Sequence, residues 1–598
     1  MKKLKSILIG GAIALSLTGC NDWLDINVDP NRPTAESVPY QMLLPWCQFY
    51  MGHDYLNTSS NAAMYTGHIL RTSNAREKGA ALWNLGAATR RANTYQWFYV
   101  GVGPNLDNLY EKAMADNAYH YAAASKLIRA YGFMLLTDVF GETPYTEAFG
   151  SAISPKFDTG KTIFIGCLNE IDEAIELFQK EQPATASPLA QGDSWNSGDK
   201  NKWLKFAYLL KARWINHLSK KEAGSYKEGK YDADEILRCL DLAMQSNDEN
   251  TVIRHTDTNG NTHDVLGWNE TVDYSTLFSC VGMNSNFYVT KTYYDNLTNF
   301  MGLGVEDPRA DRFIPWARSQ KSANSPKEIK WTEDGKWRRS LPVDIINSNI
   351  TANSGPFAIS WEPSTNSWYC KTDIKERQGD TIYVQARCSS KGYHSNIDLL
   401  WRAEAGNDAS AMSGIFQVRP GDAGGAKEAL KKAVKAHMEG VNDQLNKWVS
   451  GDASLKNCPS FIPMNQADID NYVNNVIAKA ADQNLMGTIM TQKLISEEFM
   501  FETWNDFRRH DFDKNVFLEW DKSYEYRTNP NYQTYCPEGK GPRRWAPAGI
   551  EQDYNNINLE AIGAEVPGAL ELPHEKDAKW YTSDQINTLN VWWDSTQQ

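Results

Sequence analysis

The sequence predicts a mainly α-helical protein whose helical scaffold is interrupted by one long irregular insertion. Apolar residues recur at helical spacing from about residue 36 to 250, and again from about 426 to 520. Between about 250 and 425, Gly, Asn, Ser, Pro and Trp dominate, and only short strand-like runs appear. Residues from about 520 to 598 are again loop-like. We therefore expect long loops to be carried on a rigid helical frame, an arrangement in which loops commonly hold the binding groups.

The N-terminal residues predict export and lipid attachment. Lysines precede an apolar run from Ile7 to Leu17, which is too short to remain as a transmembrane helix. The sequence LTGC that ends at Cys20 then resembles a lipobox, in which this cysteine becomes the lipidated first residue of the mature chain. We expect a signal peptide over residues 1–19, a polar and Pro-punctuated tether over 20–35, and a single domain over 36–598.

Helical spacing is clearest in the first part of that domain. The segment from Tyr119 to Phe140 carries Ala, Leu, Ile and Phe at this spacing, and it stops at Gly141 with Pro144 beyond. Antiparallel helix pairs of this length suggest tetratricopeptide-like units, although the consensus of those repeats is not visible. The other predicted helices are Thr162–Gln179, Lys202–Ser219, Asp232–Met244, Ala426–Trp448, Asp468–Ala481 and Leu485–Phe501.

Composition argues against one class of partner and is compatible with one kind of ligand. The 598 residues carry a formal net charge of −13, so the basic face that nucleic-acid binding needs is not expected. The chain contains 21 Trp and 28 Tyr, an unusually large number. A flat amphipathic ring suits either a hydrophobic core or a sugar-stacking surface, and we expect most of these tryptophans to lie in the core.

No motif for a catalytic nucleophile, a metal or a nucleotide emerges from the sequence. HExxH, GxSxG and a complete P-loop are not found, and no cofactor is implied. Asp257, Asn259 and Asn261 alternate as calcium ligands can. The Glu that closes a calcium-binding loop is missing, so an Asx-rich turn is the simpler interpretation of these residues.

One cysteine pair has a suggestive spacing. Cys370 and Cys388 lie symmetrically about Gly379, and strand-like segments flank the turn predicted there. An exported protein could form a disulfide across such a hairpin. We favour two unrelated thiols, because a sequence does not supply the geometry that a disulfide requires.

Five colinear segments carry a resemblance to a known family. They are TDVFGETPY from Thr137, PKFDT from Pro155, GDK with KWLKFA from Gly198, DPR from Asp307 and ETWNDFRR from Glu502. Together these motifs resemble those of the SusD/RagB family of Bacteroidetes outer-membrane lipoproteins, and they are spread over most of the chain.

The resemblance implies a fold, a location and a partner. It implies a scaffold of four tetratricopeptide-like helix pairs that carries a variable ligand-binding face. It also implies a lipid-anchored protein on the cell surface, which sits as a lid on a SusC-like, TonB-dependent barrel transporter in the outer membrane. Members of the family bind glycans or, less often, peptides, and are not enzymes.

The family motifs are best interpreted as scaffold, and ligand contacts are expected from variable segments. The first such segment, around residues 93–105, offers Tyr95, Trp97, Tyr99 and Asn105. The start of the insertion offers Tyr288 and Tyr294, and a third region contains Trp316. For any single one of these residues, a packing role remains the simpler interpretation. The motif residues expected to pack or to form buried ion pairs are Arg129, Asp138, Trp203, Arg213, Trp504 and Arg508.

Three functions remain open on the sequence. The leading hypothesis is a lid that captures oligosaccharide for import, and its first rival is the same lid acting on oligopeptides. The third is a surface endo-glycosidase, because the carboxylate pair of such an enzyme is spaced in three dimensions and not along the chain.

Overall fold

The structure is a computed structural model of the chain. It describes residues 37–67, 69–71, 83, 92–252, 287–314, 316–321, 337–339, 359–362, 367–370, 377–378, 381–385, 423–451, 459, 462–497, 500–518, 541–572, 579–583 and 585–597.

Helices dominate the described part of the chain, as the sequence predicts. The helices before the insertion are α1 (Tyr40–Tyr65), α2 (Ala92–Gln96), α3 (Gly103–Ala115), α4 (Tyr119–Phe140), α5 (Gly160–Gln179), α6 (Lys200–His217) and α7 (Ala233–Leu242). The later helices are α8 (Lys291–Thr298), α9 (Ala310–Phe313), α10 (Ala423–Gly451), α11 (Gln466–Asn471), α12 (Ala478–Gln483), α13 (Leu485–Ser496), α14 (Glu502–Arg509), α15 (Gly549–Tyr554) and α16 (Asn556–Ile562).

Local chemistry explains where the well-predicted helices begin and end. Helix α4 ends at Gly141, whose φ of +82° suits glycine better than other residues. Helix α5 begins two residues before its predicted start, because the side chain of Thr159 accepts a hydrogen bond from the Thr162 N–H at 3.1 Å. Asp199 caps α6 in the same way, through the N–H of Asn201 at 2.9 Å.

Helices that are neighbours in the chain are also neighbours in space. Helix α3 packs on α4, α4 on α5, α5 on α6, and α6 on α7, while α1 packs against both α3 and α4. Only residues 116–118 separate α3 from α4, so these two form a tight αα-hairpin. Serial pairing of this kind is the arrangement expected of a tetratricopeptide-like scaffold.

The structure corrects the predicted helix Leu485–Phe501. Helix α13 ends at Ser496, and a separate helix, α14, begins at Glu502. Two buried carboxylates flank the break: Glu497, directly after α13, pairs with Lys493 of that helix at 3.5 Å, and Glu502, the first residue of α14, reaches His217 on α6 at 2.8 Å.

Two predicted loop regions also contain short helices. Helices α8 and α9 lie within the predicted insertion, and α15 and α16 lie within the predicted C-terminal tail. The side chain of Thr290 caps α8 by accepting from the Tyr293 N–H at 3.3 Å. The N-termini of α9, α15 and α16 have no such side-chain cap, and all four helices are too short to show a clear periodicity.

The described strands of the insertion are short, as expected. The strands β1 (Ile69–Arg71) and β2 (Phe287–Val289) pair antiparallel and tie the end of α1 to the start of α8. The remaining strands are β3 (Trp316–Lys321), β4 (Trp337–Arg339), β5 (Ile359–Glu362), β6 (Ser367–Cys370), β7 (Arg377–Gln378) and β8 (Thr381–Gln385). A four-stranded sheet has the order β4-β3-β8-β7, and a separate two-stranded sheet joins β5 to β6.

The strands on either side of Gly379 pair with one another, as the sequence predicts. Gln378 of β7 lies opposite Thr381 of β8. Cys370 instead lies opposite Ile359 in the separate β5–β6 sheet. The register therefore removes the reason for pairing Cys370 across this turn, and Cys388 lies outside the described residues.

The motif residues face inward, as predicted. Trp203, Trp504 and Arg508 are fully enclosed, and the Arg508 guanidinium lies 4.0 Å from the centre of the Trp504 ring. The Nε of Arg129 pairs with Asp107 at 3.1 Å, and its Nη1 also bonds Glu170. The Arg129–Glu170 pair is largely buried, so it needs good geometry to offset its desolvation, and it links α4 to α5.

Among the described residues, no helix combines the length and the apolar character that crossing a bilayer requires.

Candidate ligand-binding site

The segment Trp97–Val102, which joins α2 to α3, forms a π-helix that we call the π-segment. A π-turn closes hydrogen bonds one residue wider than an α-turn and is frequent at functional sites. Gly101 and Gly103 lie in and just after it, followed by Pro104 in the first turn of α3. This is the variable segment from which the sequence predicts ligand contacts.

The inner side of the π-segment is held by aromatic packing. Phe98 is fully buried and meets Phe133 of α4 edge-on, with ring centres 4.9 Å apart. Gly132 makes this approach feasible, because a Cβ there would lie only 1.9 Å from Cε2 of Phe98. Val102 is also fully buried. The π-segment is therefore anchored on α4 through Phe98.

The structure places two of the predicted ligand residues on this inner side. Tyr95 is only 5% exposed, and its ring lies 4.3 Å from that of Tyr99. The Tyr95 hydroxyl donates to Glu551 at 2.9 Å, and the Tyr99 hydroxyl donates to the carbonyl of Pro144. Burial, the neighbouring Tyr99 and the Glu551 carboxylate raise the pKa of Tyr95 well above its ordinary value. The two rings pack against one another and both hydroxyls bond other parts of the chain, which indicates a supporting role within the segment.

The outer side carries the other two predicted residues of this segment. Trp97 is half-buried, and Val100, three residues later in the π-segment, is 69% exposed. Asn105 is half-buried, and its Nδ2 donates to the carbonyl of Gly101 at 3.0 Å. An indole and an amide thus lie at or near the surface of one short segment.

Helix α1 adds two aromatic residues that sequence reasoning missed. The Nε1 of Trp46 donates to the same Gly101 carbonyl at 3.1 Å, and Trp46 is 40% exposed. Its ring centre lies 4.5 Å from that of Tyr50, which in turn packs over Gly101. We call Trp46, Tyr50, Trp97, Val100 and Asn105 the aromatic face.

A sequence signal for Trp46 does exist. Residues 40–51 (YQMLLPWCQFYM) are apolar almost all round the helix, whereas a scaffold helix buries only one stripe. Some large apolar side chains there must remain exposed, and Met42 and Trp46, one turn apart, are those residues.

The remaining predicted site residues are only partly described. Tyr294 on α8 is half-buried and packs against the core. The backbone of Tyr288 lies in β2 opposite Leu70, and that of Trp316 lies in β3 opposite Arg339. Cys20 and the calcium candidates Asp257, Asn259 and Asn261 lie outside the described residues. Within the described ranges, no three His, Cys, Asp or Glu side chains are grouped as a metal site.

A prominent set of perturbed ionisable groups lies in the core and not on the aromatic face. His217 is enclosed between Asp138 of α4, at 3.6 Å, and Glu502 of α14, at 2.8 Å. Burial alone would lower the pKa of His217, but the two carboxylates raise it. The Nδ2 of Asn505 donates to both carboxylates at 2.9 Å. This cluster ties α4, α6 and α14 together and is closed to solvent.

Comparisons with known proteins find a matching family model and a shared fold. Residues 30–359 match the model of the SusD-like family, which is described as starch-binding and associating with the outer membrane. No curated protein matches the chain.

Solved structures show the same fold at low sequence identity. A SusD/RagB family protein from Bacteroides thetaiotaomicron is 18% identical, with a TM-score of 0.61 over 94% of this chain and 100% of its own. A SusD homologue from Bacteroides fragilis is 17% identical, with a TM-score of 0.55 over 93% and 100%. A chitin-binding protein is 18% identical, with a TM-score of 0.53 over 92% and 99%.

Proposed function

Since this chain belongs to the SusD-like family of starch-binding, outer-membrane-associated proteins, we propose that it captures oligosaccharide at the cell surface for import. In this proposal it is a lipoprotein that acts as a lid and delivers its ligand to a SusC-like, TonB-dependent barrel transporter. It binds without turnover and needs no cofactor.

The observation that carries the proposal is the composition of the aromatic face. Its surface combines the indole of Trp46, the ring of Trp97 and the amide of Asn105 around one short backbone segment. Sugars present apolar C–H faces that stack on such rings and hydroxyls that pair with amides. A preformed surface of this kind gives affinity at a low cost in side-chain entropy.

The anchor and the partner follow from the sequence and from family membership. Residues 1–19 would be removed as a signal peptide, and lipid on Cys20 would hold the chain to the outer membrane through the tether 20–35. A lid tethered beside a barrel keeps the captured ligand at a high effective concentration near the transporter mouth.

Two alternatives use the same surface differently. An oligopeptide would also stack on exposed aromatic rings, and a lid for peptides is the nearer rival. An endo-glycosidase would in addition need a pair of carboxyl groups at the bound sugar, at most about 10 Å apart.

The test compares three classes of ligand on the purified mature chain. Amylopectin is offered by affinity electrophoresis, and maltoheptaose, chitohexaose and a mixture of casein peptides are offered by calorimetry. We expect one of the glycans to bind and to be recovered at its original length. Binding of the peptides alone would favour the rival lid, and sustained release of shorter glycans would favour the enzyme.

Variants of the aromatic face locate the site. Trp46→Ala and Trp97→Ala should each weaken glycan binding about thirtyfold, because a central aromatic anchor contributes about 2 kcal/mol or more. Tyr554→Ala is the matched control, since Tyr554 is 81% exposed but outside the aromatic face. Normal affinity in both tryptophan variants would remove the aromatic face from the proposal.

A further inference from the structure

We propose that Glu551, on helix α15 near the C-terminal end of the chain, is a positioning residue for the aromatic face. It holds Tyr95 from the inner side and thereby fixes where the π-segment presents Trp97 and Asn105. The effect on ligand affinity rests on the proposed function, whereas the effect on the π-segment itself does not.

The contact joins two parts of the chain that are far apart in sequence. The hydroxyl of Tyr95 donates to Oε1 of Glu551 at 2.9 Å, across 456 positions. Tyr95 is 5% exposed and lies two residues before Trp97. A hydrogen bond to an ionised carboxylate is stronger than one between neutral groups, and water competes little for a nearly buried donor.

Glu551 is itself held in place from its other oxygen. The Nδ2 of Asn555, which is buried, donates to Oε2 of Glu551 at 2.8 Å and to the carbonyl of Pro155 at 2.8 Å. The Oδ1 of Asn555 accepts from Asn558 at 2.8 Å, which fixes the orientation of the amide. The carboxylate is therefore a bridge with a defined donor on each side.

The segment before α15 is fixed to the scaffold by buried groups. The backbone N–H of Trp545 donates to the carbonyl of Val139 at 2.7 Å, and its Nε1 donates to the Tyr65 hydroxyl at 2.9 Å. Arg544, also fully buried, pairs with Glu142 at 2.9 Å. These contacts reach the ends of α1 and α4, so α15 is a rigid base and not a loose tail.

Tyr95 passes this constraint to the π-segment. Its ring packs at a tilt against that of Tyr99, whose hydroxyl is bonded to the Pro144 carbonyl, so both tyrosines brace the inner side. A π-turn is a rarer arrangement than an α-turn, and without its inner braces the segment could relax toward an α-turn. Such a relaxation would turn Trp97 and Asn105 away from one another and lower the pre-organisation of the site.

The first test measures the π-segment directly and needs no ligand. Hydrogen exchange with mass spectrometry follows the amides of residues 97–105 in Glu551→Ala, in Tyr95→Phe and in the double variant. We expect about tenfold faster exchange in each single variant, the size of effect that loss of one hydrogen bond to a charged group gives. The double variant should match the single ones, because all three lose the same bond.

Two further variants separate positioning from general stability. Glu551→Gln should give an intermediate effect, because its amide oxygen accepts from one partner while its NH2 meets the other partner's donor. Tyr554→Ala, on the same helix but exposed, should leave exchange unchanged. Unchanged exchange in both Tyr95→Phe and Glu551→Ala would overturn the inference, as would an equal rise in exchange throughout the scaffold helices.

The second test measures affinity for amylopectin and maltoheptaose well below the melting temperature. Glu551→Ala and Tyr95→Phe should weaken binding roughly three- to tenfold at unchanged stoichiometry, since a looser site pays an ordering cost on binding. A merely structural role would lower the melting temperature and leave the affinity of the folded protein intact. If the wild-type chain binds neither probe, the proposed function fails on those ligands, and the exchange experiment still decides the role of Glu551.

Discussion

Replacing Gly132 with alanine should displace the π-segment from α4. Gly132 is buried in the middle of that helix, facing the ring of Phe98. A Cβ at this position would lie 1.9, 2.5 and 2.7 Å from three atoms of the ring. Carbon atoms at optimal separation lie about 3.5–4.0 Å apart, so either the ring or the helix must move.

Two opposing effects set the size of the change. Alanine is more favourable than glycine in a helix interior by about 1 kcal/mol. Forcing an extra methyl into a packed core costs about 1–3 kcal/mol, and three contacts this short place Gly132 at the upper end of that range. We expect Gly132→Ala to lower the free energy of unfolding by about 1–2 kcal/mol, against the helix propensity.

Urea unfolding followed by circular dichroism measures this loss. Phe98→Leu removes the far edge of the ring, so adding it to Gly132→Ala should cost less than the two changes summed. Gly150→Ala is the matched control, because its Cβ would meet nothing closer than 3.5 Å. Equal or higher stability of Gly132→Ala, or strict additivity in the double variant, would refute the proposed packing of the π-segment.

Two further predictions concern the core and the anchor. The carboxylates of Glu502 and Asp138 raise the pKa of His217 in the folded protein, so the stability that this histidine contributes is present at low pH and is lost as the pH rises through its folded pKa. The urea concentration at the unfolding midpoint should therefore fall as the pH rises above about 6.5, and it should fall less in His217→Gln. The pKa of Glu502 is lowered in the folded protein, so the stability that this carboxylate contributes is lost only on strong acidification, well below the pH range of the His217 effect. Cys20→Ser should release the protein from membranes, since each buried methylene of the lipid contributes about 0.8 kcal/mol; incorporation of a fatty-acid probe by the variant would contradict this.

Sequence patterns predicted what depends on neighbours in the chain. Helix α4 has the predicted bounds, because apolar spacing, a terminal glycine and a following proline all act within one helix. The inward-facing motif residues, such as Trp203 and Arg508, were predicted because they lie in motifs that resemble the family's and fall within scaffold helices or helix ends.

The sequence did not predict contacts between segments that lie far apart along the chain. Tyr95 was expected to contact ligand, but it is buried against Tyr99 and Phe140, and its hydroxyl bonds Glu551 from the far end of the chain. The register that places Cys370 opposite Ile359 is likewise a property of strand pairing and not of symmetry about a turn. The burial of Tyr95 and the register at Cys370 both depend on which side of a helix or strand faces the core. The local sequence pattern does not decide this when several aromatic residues lie close together.

The division of the chain into buried scaffold residues and surface residues explains how a protein with only 18% identity has the same fold. Buried polar groups of the scaffold bond one another: the carboxylate of Asp193, for example, accepts from Gln48 at 2.8 Å, from the indole of Trp203 at 2.8 Å and from the N–H of Gly198 at 2.8 Å. Removing any one donor leaves a buried charge short of partners, so these positions tolerate little change. Trp46 and Asn105 of the aromatic face instead share one backbone acceptor, the carbonyl of Gly101. If the aromatic face binds ligand as proposed, substitutions there should change ligand preference without unfolding the scaffold, provided that the inner braces, Tyr95 and Glu551 among them, keep that face in place.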